Sequence, residues 1–246
     1  MEQVASNQRD TLYLSAPVNA LVEGIYRQDT TLGELQKHGN FGLGTFNDLD
    51  GELVLLGGNA YQITGTGQVR RVGDEVRTPF ACVTFFRELT FEDVSTGFSD
   101  LQALLALLET VFPSPNMMYA LRIDGDFEFV RTRSVPKQEH YRPLVEVTRD
   151  QPTFAMTNLP GTLAGFYTPE FMASLVVPGV HLHFLSEDRQ SGGHLLQCRA
   201  VRARIGVQIL RSLRMDLPVT MDYLTADFQR NVAKDLNQAE TDPSTT

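Results

Sequence analysis

Between Ser99 and Val111 the chain reads SDLQALLALLETV, with Leu101, Leu104, Leu105 and Leu108 three or four positions apart. That spacing puts the leucines on one helical face and predicts an amphipathic helix. Ser99 is a candidate N-cap, with Gln102 as its capping-box partner. Pro113 and Pro115 then stop the helix. Two shorter helices are predicted in PVNALVEGIY and TLGELQKHG, over about residues 17–38. Most other segments are short, rich in β-branched and aromatic residues, and bounded by turn residues, so they predict strands. They are NFGLGTF and ELVLLGG around the turn-rich NDLDG, followed by AYQITG, GQVRRV and FACVTFFREL.

After the prolines the strand pattern returns. MMYALRIDGDFEFVRTRSV predicts a hairpin turning at Asp124-Gly125. Alternation on its second strand would put Phe127, Phe129, Arg131 and Arg133 on one face. Thr168-Pro169 predicts an N-cap and first-turn proline for TPEFMASL. GVHLHFLSEDRQSGGH, LLQCRAVRARIGVQIL and MDLPVTMDYL read as further strand-like pieces. Hairpins with interspersed helices predict an α+β or mixed α/β fold rather than a doubly wound parallel sheet. The proline pair suggests a boundary between residues 1–115 and 116–246.

Composition narrows the function. The 246 residues include 21 basic and 30 acidic side chains, a net charge of -9. The basic residues are dispersed, so neither nucleic acid nor an anionic membrane is expected as the main partner. The N-terminus is polar with mixed charge, unlike a secretory signal, and no apolar run approaches a membrane span. Cys82 and Cys198 are expected to be reduced, in a cytoplasmic protein.

Candidate chemistry concentrates in GVHLHFLSEDRQSGGH, which holds three of the five histidines. His181 and His183 are two apart, hence on one face of a strand. A hairpin centred near Asp188–Arg189 would put His194 opposite His183, with Cβ atoms roughly 4.5–5.5 Å apart. Three neutral imidazoles suit zinc among divalent metals, and three protein ligands leave a fourth position open, as in catalytic sites. Two other ligand sets use the same stretch. H-x-H-x3-E adds Glu187 and resembles part of a cupin motif, though no glycine lies six before His181. Cys198 could be a fourth ligand, but about 13 Å of extended strand separates it from His194.

FGLGTFNDLDGELVLLGGNAYQ, RTRSVPKQEHYRPL, GTLAGFYTPEF and GVHLHFLSEDRQSGGH, in that order, resemble the alpha-acetolactate decarboxylase family over about Leu12 to Glu240. The resemblance implies His181, His183 and His194 as Zn2+ ligands, Glu52 of D-G-E and Thr45 of GTF as active-site residues, and an active-site arginine. That arginine is expected at Arg133, with Arg131 second. It also implies a C-terminal tail that folds back and lends a glutamate, by spacing Glu240. The implied fold has two domains of mixed sheet with short helices, a metal in the cleft between them, and a homodimer. The implied reaction converts 2-acetolactate to acetoin and CO2 through a zinc-stabilised enediolate. Three histidines alone fit two other readings: a non-catalytic protein that binds a metal or a small acid, and a zinc hydrolase or hydratase using metal-bound hydroxide.

Overall fold

The computed structural model describes residues 10–88, 90–94, 96–140, 142–148 and 151–229, with Asp235, Leu236 and Ala239. Among the described residues twelve strands form two sheets, and the helices are few and short. The first sheet has seven strands: β1 (Thr11–Leu14), β2 (Phe41–Thr45), β3 (Glu52–Leu56), β4 (Asn59–Ile63), β5 (Val69–Arg71), β6 (Ala81–Thr84) and β12 (Ser212–Met215). It is mixed, because β12 joins β1 in parallel while the other pairs are antiparallel.

The second sheet has five antiparallel strands: β7 (Thr90–Val94), β8 (Met118–Arg133), β9 (Thr153–Thr168), β10 (Gly179–Ser186) and β11 (Gly192–Leu210). Its order is β10-β9-β8-β11-β7, with an extra pairing of β10 to β11. That pairing curls the sheet into a closed ring of β10, β9, β8 and β11. Strand partners therefore cross the middle of the chain. β7, from the first half, extends the second sheet, and β12, from the second half, extends the first.

Side-chain alternation sorts the curled sheet into two faces. Leu182, Phe184 and Leu195 point inward with Val130 and Phe127, and Phe127 meets Phe184 edge-on at 5.3 Å. α3 (Leu101–Val111) closes this core with Leu104 and Leu108, one helical turn apart. The opposite face carries Ala164, Phe166 and Leu185 and packs on the first sheet through Phe41, Leu43, Val54 and Leu56. The histidines share the parity of Leu185, so they lie on this inter-sheet face.

Several sequence expectations need correction. No turn interrupts β8 at Asp124-Gly125. The strand runs unbroken for 16 residues, with Gly125 paired to both Gly161 and Ala203. The flanking strands β9 and β11 supply continuous partners, and these outweigh the local turn propensity of Asp-Gly. Phe127 also leaves the face of Arg131 and Arg133. The register with β11 shifts between Arg199 and Ala200, and both Phe127 and Val130 end in the inner core. The N-cap of α3 is Asp100, whose carboxylate accepts from the Ala103 amide at 2.8 Å, while Ser99 donates its hydroxyl to Asp100 at 3.0 Å. A carboxylate one residue later displaced the predicted serine. Thr168 ends β9 instead of capping a helix. Its hydroxyl donates to the Val177 carbonyl at 2.6 Å, and only a 3-10 turn, Glu170–Met172, follows. Within MDLPVTMDYL, only the start is strand. Thr220 caps α5 (Met221–Thr225).

One glycine fixes the spacing of the histidine strand. Gly165 of β9 lies beside Leu182 of β10, and a Cβ there would stand 1.9 Å from the His181 carbonyl oxygen. Backbone must shift to admit it. Gly165→Ala is therefore expected to destabilise the fold by about 1–3 kcal/mol, the usual cost of overpacking, measured by urea unfolding of metal-free protein. An unchanged midpoint would show that β10 is not held this closely.

Candidate metal centre

The hairpin between β10 and β11 turns through Asp188 and Arg189, with Arg189 at a φ of 60°. The Ser186 hydroxyl donates to the Asp188 carboxylate at 2.6 Å, and the Ser191 amide donates back to the Ser186 hydroxyl at 3.0 Å. This turn sets the register His183↔His194, as the sequence predicted. β11 pairs with β8 on its other side, and there His194 faces Arg133. His183, His194 and Arg133 therefore form one row across three strands, on one face.

The ligand nitrogens of His181, His183 and His194 all lie within 4.8 Å of one another. His183 and His194 are buried and His181 is partly exposed. Nδ1 of His183 lies 2.9 Å from the Leu53 carbonyl oxygen, which can only accept, so Nδ1 carries the proton and Nε2 keeps a lone pair. Such a second hydrogen bond is the usual way a ligand histidine is oriented. Across from Nε2, at 3.6 Å, stands Oε2 of Glu52. Two electron-rich atoms facing each other need a proton or a cation near them. His181 Nε2 and His194 Nδ1 approach to 3.1 Å, so one of them carries the shared hydrogen. Tetrahedral zinc with bonds of about 2.0–2.1 Å puts ligand nitrogens about 3.3 Å apart, close to this spacing. A small movement of three rings would serve one ion, and the donor set fits a divalent metal.

Electrostatics keep His181 and His183 neutral. His181 retains some exposed surface, but protein surrounds its ring, and burial pushes its pKa down to about 3, helped by the Arg133 charge. Burial likewise holds His183 well below the usual histidine range, with His181 and Arg133 adding to the effect and the Leu53 carbonyl opposing it. Lone pairs are thus available for a metal at neutral pH.

The first sheet supplies the facing wall. Thr45 ends β2 opposite Glu52, which opens β3, and both are buried on the inter-sheet face. The Thr45 hydroxyl donates to the Gly51 carbonyl at 2.7 Å. Gly51 has a φ of 87°, and a Cβ there would stand 2.1 Å from the Ile63 carbonyl oxygen. Glycine is needed for the turn that delivers Glu52.

A cavity of about 60 Å³ holds the three histidines, Thr45, Glu52 and Arg133 in its wall, along with Gln151 and Val177. α1 (Val18–Val22) and α4 (Leu144–Val147) help to enclose it, through Val18 and Leu144. From the chain end comes Ala239, whose carbonyl accepts from Nη2 of Arg133. A second cavity, of about 290 Å³, shares Val177, His181 and His194 with the first and is also lined by Leu101 and Leu105 of α3.

The structure thus brings together the three histidines, Thr45, Glu52 and Arg133. Arg131 does not line that cavity. It is half-buried and paired with Gln197 and Ala155. Glu240 lies outside the described residues. Two alternative ligands fall elsewhere. Glu187 is exposed beyond the end of β10. Cys198 sits in the inner core, where burial pushes its thiol up to about 12. A register shift between Leu195 and Gln197 breaks the parity that would have aligned Cys198 with His194. Sequence reasoning missed Leu53, because its role belongs to a backbone carbonyl that any residue would carry.

Comparison with known proteins agrees with this arrangement. Residues 12–230 match the alpha-acetolactate decarboxylase family. The chain is 39% identical over 242 residues to an alpha-acetolactate decarboxylase from Brevibacillus brevis, covering 97% of this chain and 85% of that protein. It is also 39% identical to one from Methanosarcina mazei, over 96% of this chain and 82% of that protein. The crystal structure of the Bacillus subtilis strain 168 enzyme superposes with a TM-score of 0.91 at 34% identity, covering 94% of this chain and 100% of that one. Sequence, fold and coverage agree, and the chain belongs to the alpha-acetolactate decarboxylase family of enzymes.

Proposed function

We propose that this enzyme is zinc-dependent and converts 2-acetolactate to acetoin and CO2. The carrying observation is the single cavity in which His181, His183 and His194 stand with Arg133 and Glu52. The site sits where the two sheets meet, which we take as a cleft between two domains, residues 1–115 and 116–246, tied together by the exchange of β7 and β12. The three histidines would hold the zinc. Bound there, it supplies a Lewis acid for the negative charge that develops on the substrate oxygens.

The protein's own groups do the rest. Arg133 presents a planar fork that matches the two oxygens of the substrate carboxylate. The bond from C2 to that carboxylate breaks, CO2 leaves, and the electron pair runs into the neighbouring ketone. A proton added to C2 then completes acetoin. Glu52, 3.6 Å from His183, would hold that proton, and Glu240 of the chain end is the second candidate. Arg133 binding the Ala239 carbonyl supports a tail that returns to this site. Thr45 positions Glu52 by bracing the Gly51 turn. The outer cavity shares Val177, His181 and His194 with the metal cavity, and we take it as the substrate's way in. The product also separates this reaction from hydrolysis or hydration by a metal-bound hydroxide, and from binding without turnover.

We further propose a homodimer in the cytoplasm. β12 is the edge of the first sheet, and Leu217, Val219, Met221 and Leu224 just beyond it are exposed. An apolar group at an open strand edge is suited to self-association. Cys82 and Cys198 are buried in separate cores, which fits a reducing compartment.

Chelation is expected to abolish acetoin formation and zinc to restore it. His183→Ala is expected to lose bound metal and at least about a hundredfold in turnover. Full activity in metal-free protein, or retained metal in the variant, contradicts the ligand set. Removing residues 240–246 is expected to lower turnover by about a hundredfold, as loss of a general acid does, without changing metal content. An unchanged rate would take the tail out of the site. Sedimentation is expected to show a two-chain mass that Val219→Asp with Met221→Asp converts to one chain. A wild type sedimenting as a single chain at assay concentration contradicts the dimer.

A further inference from the structure

Gln151 sits in the wall of the metal cavity, two residues before β9. Its Nε2 donates to the Thr148 carbonyl at 2.9 Å. A carbonyl can only accept, so this contact fixes which end of the amide is nitrogen. Oε1 is therefore the end of the amide that does not bond to Thr148. It is buried, with no hydrogen-bond partner among the described residues. A buried amide oxygen without a donor is unfavourable and calls for explanation. In a cavity wall, the explanation is a ligand that brings the donor.

The chemistry of the proposed substrate says which donor. In 2-acetolactate the ionised carboxylate and the ketone only accept hydrogen bonds. The hydroxyl on C2 is the single donor. The cavity already offers Arg133 and a metal site to the accepting oxygens, and Gln151 presents an acceptor. We propose that Gln151 Oε1 receives the C2 hydroxyl hydrogen and thereby selects 2-hydroxy-3-keto acids over β-keto acids that lack the hydroxyl. The inference rests on the decarboxylase reaction proposed above and adds a residue that distinguishes its substrate. A site built to pair a substrate hydroxyl discriminates strongly against the analogue without it, because its own polar group is then left unpaired.

The test is a comparison of two ligands on the zinc-loaded enzyme. One is 2-acetolactate as substrate. The other is 2,2-dimethyl-3-oxobutanoate as inhibitor, in which a methyl replaces the hydroxyl. Gln151→Met keeps the length of the side chain and removes the acceptor. KM for acetolactate is expected to rise about tenfold or more, while Ki for the dimethyl analogue stays the same or falls. Equal weakening of both ligands would mean a structural role only and would overturn the proposal, as would no change in either. A second measurement serves if the variant does not fold. In wild type labelled with 15N-glutamine, one side-chain amide pair is expected to shift with 2-hydroxyisobutyrate and not with pivalate, its hydroxyl-free counterpart. The same response to both acids overturns the proposal. Acetoin production by wild type with unaltered ligand discrimination in the variant removes Gln151 alone. A wild type making no acetoin removes the reaction and this inference with it.

Discussion

Antiparallel pairing puts His183 opposite His194, and His194 opposite Arg133, so strand register decides where three charged or ligating side chains meet. A slip of one residue in β10 or β11 would turn the histidines into the inner core and bring Leu182 or Leu195 to the site. The register is fixed at several points. The turn at Asp188–Arg189 sets its phase, Gly165 permits the close approach of β9, and Phe184 with Leu195 anchors the opposite face in the core. The extra pairing of β10 with β11 closes the sheet and removes an edge along which β10 could slide.

The first sheet then completes the site from across the inter-sheet core. β3 contributes twice to one histidine. The Leu53 carbonyl holds Nδ1 of His183, and the Glu52 carboxylate stands near Nε2. Apolar packing of Val54 and Leu56 behind these residues joins the two sheets. Burial serves opposite ends for different groups here. It keeps His181 and His183 neutral and able to bind metal, and it strengthens the field of the Arg133 guanidinium in a poorly solvated cavity. A small anionic substrate gains from both.

Much of this was legible in the sequence, for identifiable reasons. His181, His183 and His194 could be placed because period-two alternation and a glycine-bearing loop constrain a hairpin tightly. Thr45, Glu52 and Arg133 came from family resemblance, since no local pattern separates them from ordinary strand residues. The errors cluster where tertiary partners override local preference. Asp124-Gly125 reads as a turn, yet β9 and β11 hold it in a continuous strand. Register shifts in the pairing of β8 with β11 moved Phe127 and Cys198 to the inner core, and single-residue irregularities of this kind leave no clear mark on composition. Gln151 was invisible because its significance is an unpaired oxygen, which exists only once the chain is folded.

Convergence of three imidazoles on one ion is the claim on which the rest turns, and X-ray absorption at the zinc edge of the metal-loaded protein tests it directly. The expected spectrum shows three imidazole nitrogens at about 2.0–2.1 Å with one further light donor. A spectrum with a single imidazole, or with thiolate sulfur at about 2.3 Å, would contradict the site and require a different set of ligands.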